Sequence, residues 1–196
     1  MRLINVSAWS SCFILLIVAG AMSQTAPKSS TQPTSPAPSA NTPGPDRTTA
    51  TFGDWVLQCD RRVGTAPPQR LCELAQTIQR PGDASPQAQI ALGRILATDP
   101  IRLTALLPTS IAFETKPKVV TEGRDSLSVE LTWVRCVPTG CFANSTVADD
   151  VIRKLRSQKN AGRLEYRDGT GRDVALPVSF RGFNEAFAAF IRENSN

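Results

Sequence analysis

The stretch SLSVELTWVRCVPTGC, residues 126–141, decides the fold class because it combines strand-like alternation with two closely spaced cysteines. Apolar side chains recur at every second position in its first half, which places them on one face of an extended strand. These residues are Leu127, Val129, Leu131 and Trp133. The Pro-Thr-Gly that follows suits a tight turn, with Pro138 at its second position and Gly140 at its fourth. The stretch therefore predicts one half-buried strand that leads into a hairpin.

Similar alternation occurs on either side of this stretch. TFGDWVLQC (51–59) and LCELAQTIQ (71–79) each place a cysteine and large apolar residues on one face, and a polar loop joins the two segments. Apolar runs at 89–97 and 101–108 are separated by turn-forming residues, and residues 162–180 indicate a last hairpin around Gly-Thr-Gly. So many short strands predict a mainly β protein, organised as a compact β-sandwich.

Two segments have helical periodicity instead. In TVADDVIRKLRSQ (146–158), Thr146 and Asp149 have the spacing of a helix-capping box, and Asp149 and Asp150 stand four residues before Arg153 and Lys154, as in helical ion pairs. The second segment is GFNEAFAAFIREN (182–194), whose apolar stripe is typical of core packing. Its members are Phe183, Phe187, Phe190 and Ile191. Both segments predict short helices attached to the sandwich.

The N-terminal part of the chain has the composition of an export signal followed by a spacer. Residues 1–23 contain a basic residue, a short apolar run and a small-x-small ending, which predicts a signal peptide cleaved after Ser23. Residues 24–50 are rich in Pro, Ser and Thr and predict a disordered linker. Residues 51–196 then form one domain. No other segment is apolar enough to span a bilayer, so no transmembrane span is expected after cleavage.

Of the five cysteines, Cys12 lies in the predicted signal peptide, and four remain after export. An even number in an exported domain indicates two disulfides with three possible pairings, of which loop-closure entropy favours the two local ones. The two local pairings are Cys59 with Cys72 and Cys136 with Cys141. Neither pair has the Cys-x-x-Cys spacing of thiol-disulfide oxidoreductases or four-cysteine zinc sites. We therefore interpret them as structural disulfides, with a redox centre or metal site as the alternatives.

The charged residues limit the possible functions and partners. The chain has no histidine, which excludes Ser-His-Asp and Cys-His catalysis and histidine-ligated zinc. Its net charge of +5 favours an anionic partner, such as an acidic envelope polymer, lipid headgroups or an acidic protein surface. An exported chain is not expected to meet nucleic acid. If Asp149 and Asp150 neutralise Arg153 and Lys154, four cations of this region remain free: Arg156, Lys159, Arg163 and Arg167. We interpret these four as a candidate anion- or partner-binding patch, and the alternative interpretation is a plain solvated surface.

Five segments in a fixed order resemble the invasion-associated locus B family of exported bacterial proteins. They are FGDWVLQCD (52–60), CELAQ (72–76), LPTSIAF (107–113), RCVPTGCFA (135–143) and LPVSFRGFNEAF (176–187). The similarity covers about residues 51–191, although the Pro/Ser/Thr linker and Phe180 depart from the usual pattern. This resemblance implies an immunoglobulin-like β-sandwich in the periplasm or on the cell surface and both local disulfides. It implies no established reaction and no catalytic residues.

These observations predict a non-enzymatic envelope protein that binds an unidentified envelope protein or anionic envelope polymer. We expect it in the periplasm, with outer-membrane association or secretion as alternatives, and we expect no cofactor and no metal. Two enzymatic alternatives survive the absence of histidine. One is a thiol-disulfide folding helper. The other is a carboxylate-dependent hydrolase, which needs two convergent acids and has these candidates: Asp54, Glu73, Glu114 and Glu130.

Overall fold

The computed structural model describes residues 46–62, 69–80, 82–83, 85–96, 98–123 and 126–194. The predicted signal peptide and most of the predicted linker lie outside the described residues. The strands are β1 (Arg47–Phe52), β2 (Trp55–Arg62), β3 (Gln69–Ile78), β4 (Ala88–Gly93), β5 (Arg102–Leu107), β6 (Lys118–Thr121), β7 (Leu127–Glu130), β8 (Thr132–Val137), β9 (Gly140–Thr146), β10 (Gly162–Arg167) and β11 (Asp173–Val178). The helices are α1 (Asp149–Ser157) and α2 (Phe183–Asn194).

Seven strands form a large antiparallel sheet in the order β1-β2-β3-β4-β5-β9-β8. Because alternate residues of a strand point to opposite faces, the apolar positions form continuous rows across the sheet. In one such row Leu74 lies opposite Leu57 on one side and Leu92 on the other, and all three are buried. Burial of each leucine contributes about 1.5–3 kcal/mol. These rows form the core-facing side of the large sheet.

The other four strands form a smaller antiparallel sheet in the order β11-β10-β6-β7. At its centre Leu164 lies opposite Leu176 and Val119, and none of the three is more than 1% exposed. Each sheet has one apolar face, and the two sheets form a sandwich around a common core. The predicted mainly β sandwich with two short helices is confirmed.

The single strand predicted for SLSVELTWVRC (126–136) is wrong in one respect, because the segment forms two strands in different sheets. β7 belongs to the small sheet and β8 to the large one. The chain crosses between the layers at Leu131, which is completely buried and whose N–H donates to the Pro117 carbonyl at 2.8 Å. The apolar alternation continues across this crossing because both sheets bury their inner faces in the same core. Periodicity therefore identifies the buried face but does not identify the hydrogen-bonded neighbours.

Both helices form where they were expected, with two corrections. α1 begins after Ala148, which makes no side-chain cap hydrogen bond, whereas Thr146 ends β9 opposite Arg102 of β5. Pairing with β5 holds Thr146 in extended backbone, so it cannot cap the helix. α2 packs on β2 and β3 and buries its three phenylalanines, but Ile191 is 37% exposed. Neither described helix is long and apolar enough to cross a membrane.

The folded part of the chain begins earlier than the predicted boundary at residue 51. Residues 47–50 fall within the predicted linker, yet they form most of β1 and pair with residues 57–60 of β2. The segment is rich in threonine, which is common in strands, and β2 presents a neighbouring edge with which it can pair. These residues were assigned to the linker because the prediction rested on the content of Pro, Ser and Thr, and threonine is common both in linkers and in strands.

Candidate functional site

A group of exposed cations lies on α1 and just after it. We call Arg153, Lys154, Arg156 and Lys159 the α1 cationic surface. Within the described residues none of these four makes an ion pair. Two of them, Lys154 and Arg156, lie in the last turn of the helix, where positive charge also interacts favourably with the helix dipole. This surface therefore carries positive charge that its own fold does not neutralise.

Arg156 differs from the other three because it also supports the packing of the helices. Its Nε donates to Asn184 Oδ1 at 2.8 Å, and its guanidinium lies 5.6 Å from the centre of the Phe187 ring. It thus joins α1 to α2 as well as contributing charge. The expected ion pairs of Asp149 and Asp150 with Arg153 and Lys154 are absent from the described residues. The two aspartates lie in the first turn, where they interact with the opposite end of the helix dipole.

The remaining two candidate cations, Arg163 and Arg167, are neutralised by neighbouring carboxylates. Both lie on β10, on the solvent-facing side of the small sheet. Arg167 Nε is 3.1 Å from Asp173 Oδ1, and Arg163 Nε is 3.2 Å from Glu165 Oε1. Arg163 also pairs with Glu122. The prediction that these two arginines are free charges is therefore wrong.

The same face contains two further ion pairs, one between strands and one between the loop before β6 and β7. Lys118 Nζ lies 3.2 Å from Glu165 Oε2, and Lys116 Nζ lies 2.7 Å from Glu130 Oε1. Four cations and four carboxylates take part in this group in total: Lys116, Lys118, Arg163, Arg167, Glu122, Glu130, Glu165 and Asp173. The solvent-facing side of the small sheet is consequently close to electrically neutral, although the sequence around β10 is rich in arginine.

Both local disulfides are present in the structure. The sulfur atoms of Cys59 and Cys72 are 2.07 Å apart, and those of Cys136 and Cys141 are 2.00 Å apart. Each pair occupies directly opposed positions of a hairpin, with a Cα–Cα distance of 4.0 Å. Neither pair lies at the start of a helix, where thiolates of oxidoreductases are stabilised. The described cysteines thus join strands and offer no free thiol.

The four candidate acids lie on separate elements. Asp54 is in the turn between β1 and β2, Glu73 in the middle of β3, Glu114 in the exposed loop before β6, and Glu130 at the end of β7. Asp54 forms an ion pair with Arg181, and Glu130 forms one with Lys116. Within the described residues no group of three or more acids and cysteines is arranged to hold a metal ion.

One pair of neighbouring acids was not predicted from the sequence. Asp60 and Glu73 share a shallow concavity of about 240 Å³ on the outer side of the large sheet, lined also by Arg94. Partial burial, with a contribution from Asp60, raises the pKa of Glu73, whereas a hydrogen bond from Arg47 lowers the pKa of Asp60. The register of β2 and β3 brings these two acids onto one face, and only the strand pairing could reveal this. Because Asp60 is ion-paired with Arg47, it is not an unpaired carboxylate that could act with Glu73 as a second catalytic acid.

Residues of the FGDW and SFRGF segments, which carry much of the family resemblance, form a structural contact. We call Gly53, Asp54, Ser179, Arg181 and Gly182 the turn clasp. Asp54 N–H donates to the Arg181 carbonyl at 3.1 Å, and its carboxylate accepts hydrogen bonds from Ser179 Oγ at 2.7 Å and Arg181 Nε at 3.0 Å. Hydrogen bonds from Arg181 and Ser179 lower the pKa of Asp54.

A buried polar group extends this clasp into the core. Gln76 is only 4% exposed, and its amide both donates to the Ser179 carbonyl at 3.0 Å and accepts from the Ser179 N–H at 2.9 Å. The indole of Trp55 donates to the same carbonyl at 2.9 Å. Burial without these partners would cost the desolvation energy of each polar group. The polar residues of this region therefore fasten β11 to β2 and β3 and offer no open site.

The comparisons with known proteins agree with this architecture. The family model for invasion associated locus B (IalB) protein matches residues 55–190. The crystal structure of invasion associated protein b from Bartonella henselae is similar, with a TM-score of 0.62 and 19% sequence identity over 74% of this chain and 95% of that chain. At this identity the likeness shows the fold alone. No curated protein matches the sequence. Since the family model covers most of the chain, this protein belongs to the invasion associated locus B family.

Proposed function

We propose that this protein is an exported, non-enzymatic envelope module that binds an anionic envelope partner through the α1 cationic surface. The observation that carries the proposal is the contrast between two basic regions. The four cations of the α1 cationic surface have no ion-pair partner among the described residues, whereas the four cations of the small sheet are matched by four carboxylates. Unmatched surface charge attracts polymers or protein surfaces of opposite sign.

The absence of assembled reactive groups supports a binding role over catalysis. The described cysteines are bridged, the sequence contains no histidine, and the candidate acids lie on separate elements or are already ion-paired. Membership of the family supports export, and both disulfides fit an oxidising compartment. We place the protein in the periplasm, with outer-membrane association or secretion as the alternatives. Cell fractionation, with N-terminal sequencing to detect cleavage after Ser23, tests this placement.

Binding to isolated envelope fractions tests the proposed surface. In one variant Arg153, Lys154 and Lys159 become glutamine, while Arg156 is kept because it supports α2. A charge near an anionic surface contributes about 1 kcal/mol, so the triple variant should bind on the order of 100-fold more weakly. The affinity of the wild type should also fall as salt rises.

A matched control removes three ion-paired cations from the small sheet, replacing Lys116, Lys118 and Arg167 by glutamine. This control changes the net charge by the same amount, yet it should retain most of the binding because those charges are already neutralised. Exposed ion pairs contribute only about 0–1 kcal/mol each to stability, so the control should remain folded. Unchanged binding by the α1 variant, or equal loss in both variants, would contradict the proposed surface.

The names of the family and of the Bartonella protein refer to invasion, and contact with a host cell is a narrower form of the same proposal. Such a role requires the domain to reach the outside of the cell. Protease digestion of intact cells, followed by detection of the domain, distinguishes surface exposure from retention in the periplasm. Protection from protease would restrict the partner to molecules of the envelope.

A further inference from the structure

The two disulfides differ sharply in their exposure to solvent. Cys59 and Cys72 are each only 3% exposed, in strands that have neighbours on both sides. The Cys72 N–H also lies 3.4 Å from Asn194 Oδ1, at the end of α2. In the other bridge Cys141 is 1% exposed, whereas Cys136 is exposed. Of the four cysteines in the described residues, Cys136 is therefore the one that solvent reaches.

Cys136 also lies where a second molecule can approach. β8 is the last strand of the large sheet, and among the described strands it pairs with β9 alone. Its register shifts between Trp133 and Arg135, the mark of a β-bulge, which bends an edge strand and interrupts its ladder. The residues around the bridge are exposed as well: Arg135, Pro138 and Thr139. No described element covers this edge of the hairpin.

Opening this bridge leaves the hairpin with other support. The cysteines are only five positions apart, and the residues between and around them stay paired, with Val137 opposite Gly140 and Arg135 opposite Phe142. β9 is also bound along its other side to β5. A bridge that closes so short a loop contributes about 2 kcal/mol. The fold can therefore survive reduction of this disulfide and close it again.

We propose that Cys136–Cys141 is a thiol-exchange site of the folded protein, whose substrate class is an exported dithiol reductant, while Cys59–Cys72 is closed to exchange. A thiolate of the dithiol attacks the Cys136 sulfur and forms a mixed disulfide, and the Cys141 sulfur leaves and takes up a proton. The second thiol of the reductant, as its thiolate, then attacks the reductant's own sulfur in the mixed disulfide, and the Cys136 sulfur leaves and takes up a proton. The products are two protein thiols and the oxidised reductant, so electrons and protons balance.

The asymmetry of the bridge explains why a dithiol is required. Cys141 is buried, and the strand ladder holds it opposite Cys136. After attack by a monothiol, Cys141 remains in place to reverse the reaction. A second thiol on the reductant competes with this reversal.

Graded reduction of the full-length exported protein tests the proposal, with the second disulfide as an internal control. The folded protein is incubated with increasing dithiothreitol, alkylated, and analysed by mass spectrometry of the cysteine-containing peptides. Cys136 and Cys141 should be alkylated at a dithiol concentration at least about 10-fold lower than that needed for Cys59 and Cys72. Circular dichroism should show an intact fold at that stage. Reduction of both disulfides together, or of Cys59–Cys72 first, would overturn the proposal.

Two single variants test the asymmetry within the bridge. Cys141→Ser leaves the exposed cysteine as a free thiol, and Cys136→Ser leaves the buried one. With a chromogenic disulfide reagent the first should react at least about 10-fold faster than the second, because exposure controls access to the thiolate. Equal rates in two folded variants would refute the assignment of Cys136 as the attacked sulfur. Neither measurement depends on the α1 cationic surface.

Discussion

Replacement of Gly182 by alanine should force apart the two turns that form the turn clasp. Gly182 has φ +81, and a Cβ built on it would lie 2.5 Å from the Phe52 carbonyl carbon and 2.8 Å from the Gly53 nitrogen. Both neighbours are backbone atoms of the turn between β1 and β2, so no side chain can rotate away. The turn must move instead, and the hydrogen bond from the Asp54 N–H to the Arg181 carbonyl is strained.

The expected loss of stability has three contributions. An L-residue in the left-handed region costs about 1–2 kcal/mol, overpacking against fixed atoms costs about 1–3 kcal/mol, and loss of a hydrogen bond costs about 1 kcal/mol. Alanine also restricts the unfolded chain, which offsets about 0.4–1 kcal/mol. The free energy of unfolding should therefore fall by about 2–6 kcal/mol.

Gly171→Ala provides a matched control for this prediction. Gly171 has φ +82, nearly the same as Gly182, but nothing lies within 4 Å of a Cβ built on it. Alanine there incurs the backbone cost alone, about 1 kcal/mol after the effect on the unfolded chain. Urea denaturation of both variants measures the difference, since the midpoint falls at unchanged slope when only stability changes. Equal losses in the two variants would refute the clasp as the origin of the effect.

Three further predictions concern the sheets. The pKa of Glu73 is raised in the folded state, so its charged form opposes folding at neutral pH. Glu73→Gln should therefore stabilise the protein at neutral pH, and this gain should vanish as the pH falls below the ordinary glutamate range. Thermal melts across a range of pH measure the difference. Replacing both Cys59 and Cys72 by alanine should lower the free energy of unfolding by about 3 kcal/mol in urea titrations. Leu131→Ala should cost about 2–5 kcal/mol, because this side chain fills the crossing between the sheets; a loss below 1 kcal/mol would contradict that role.

Only part of the candidate site could be predicted from the sequence. The concentration of cations on α1 and just after it follows from the order of residues along the chain. Arg156 and Lys159 were therefore included in the candidate patch, whereas Arg153 and Lys154 were left out because ion pairs with Asp149 and Asp150 were expected. The neutralisation of Arg163 and Arg167 was missed because their partners Glu122 and Asp173 lie on other strands or in loops. The ion pairs expected from Asp149 and Asp150 depend on flexible exposed side chains, for which helical spacing permits contact without requiring it.

The sequence by itself determined the features that depend on near neighbours in the chain. Alternation of apolar residues specified the buried faces of the strands, and short loops between opposed cysteines specified both disulfides. Tertiary structure alone decided the features that depend on distant neighbours. The division of residues 126–137 between two sheets at Leu131, the strand pairing that keeps Thr146 from capping α1, and the exposure of Cys136 at a sheet edge all follow from which strands lie side by side. Strand order is settled by the packing of whole faces against one core, and local periodicity carries no information about it.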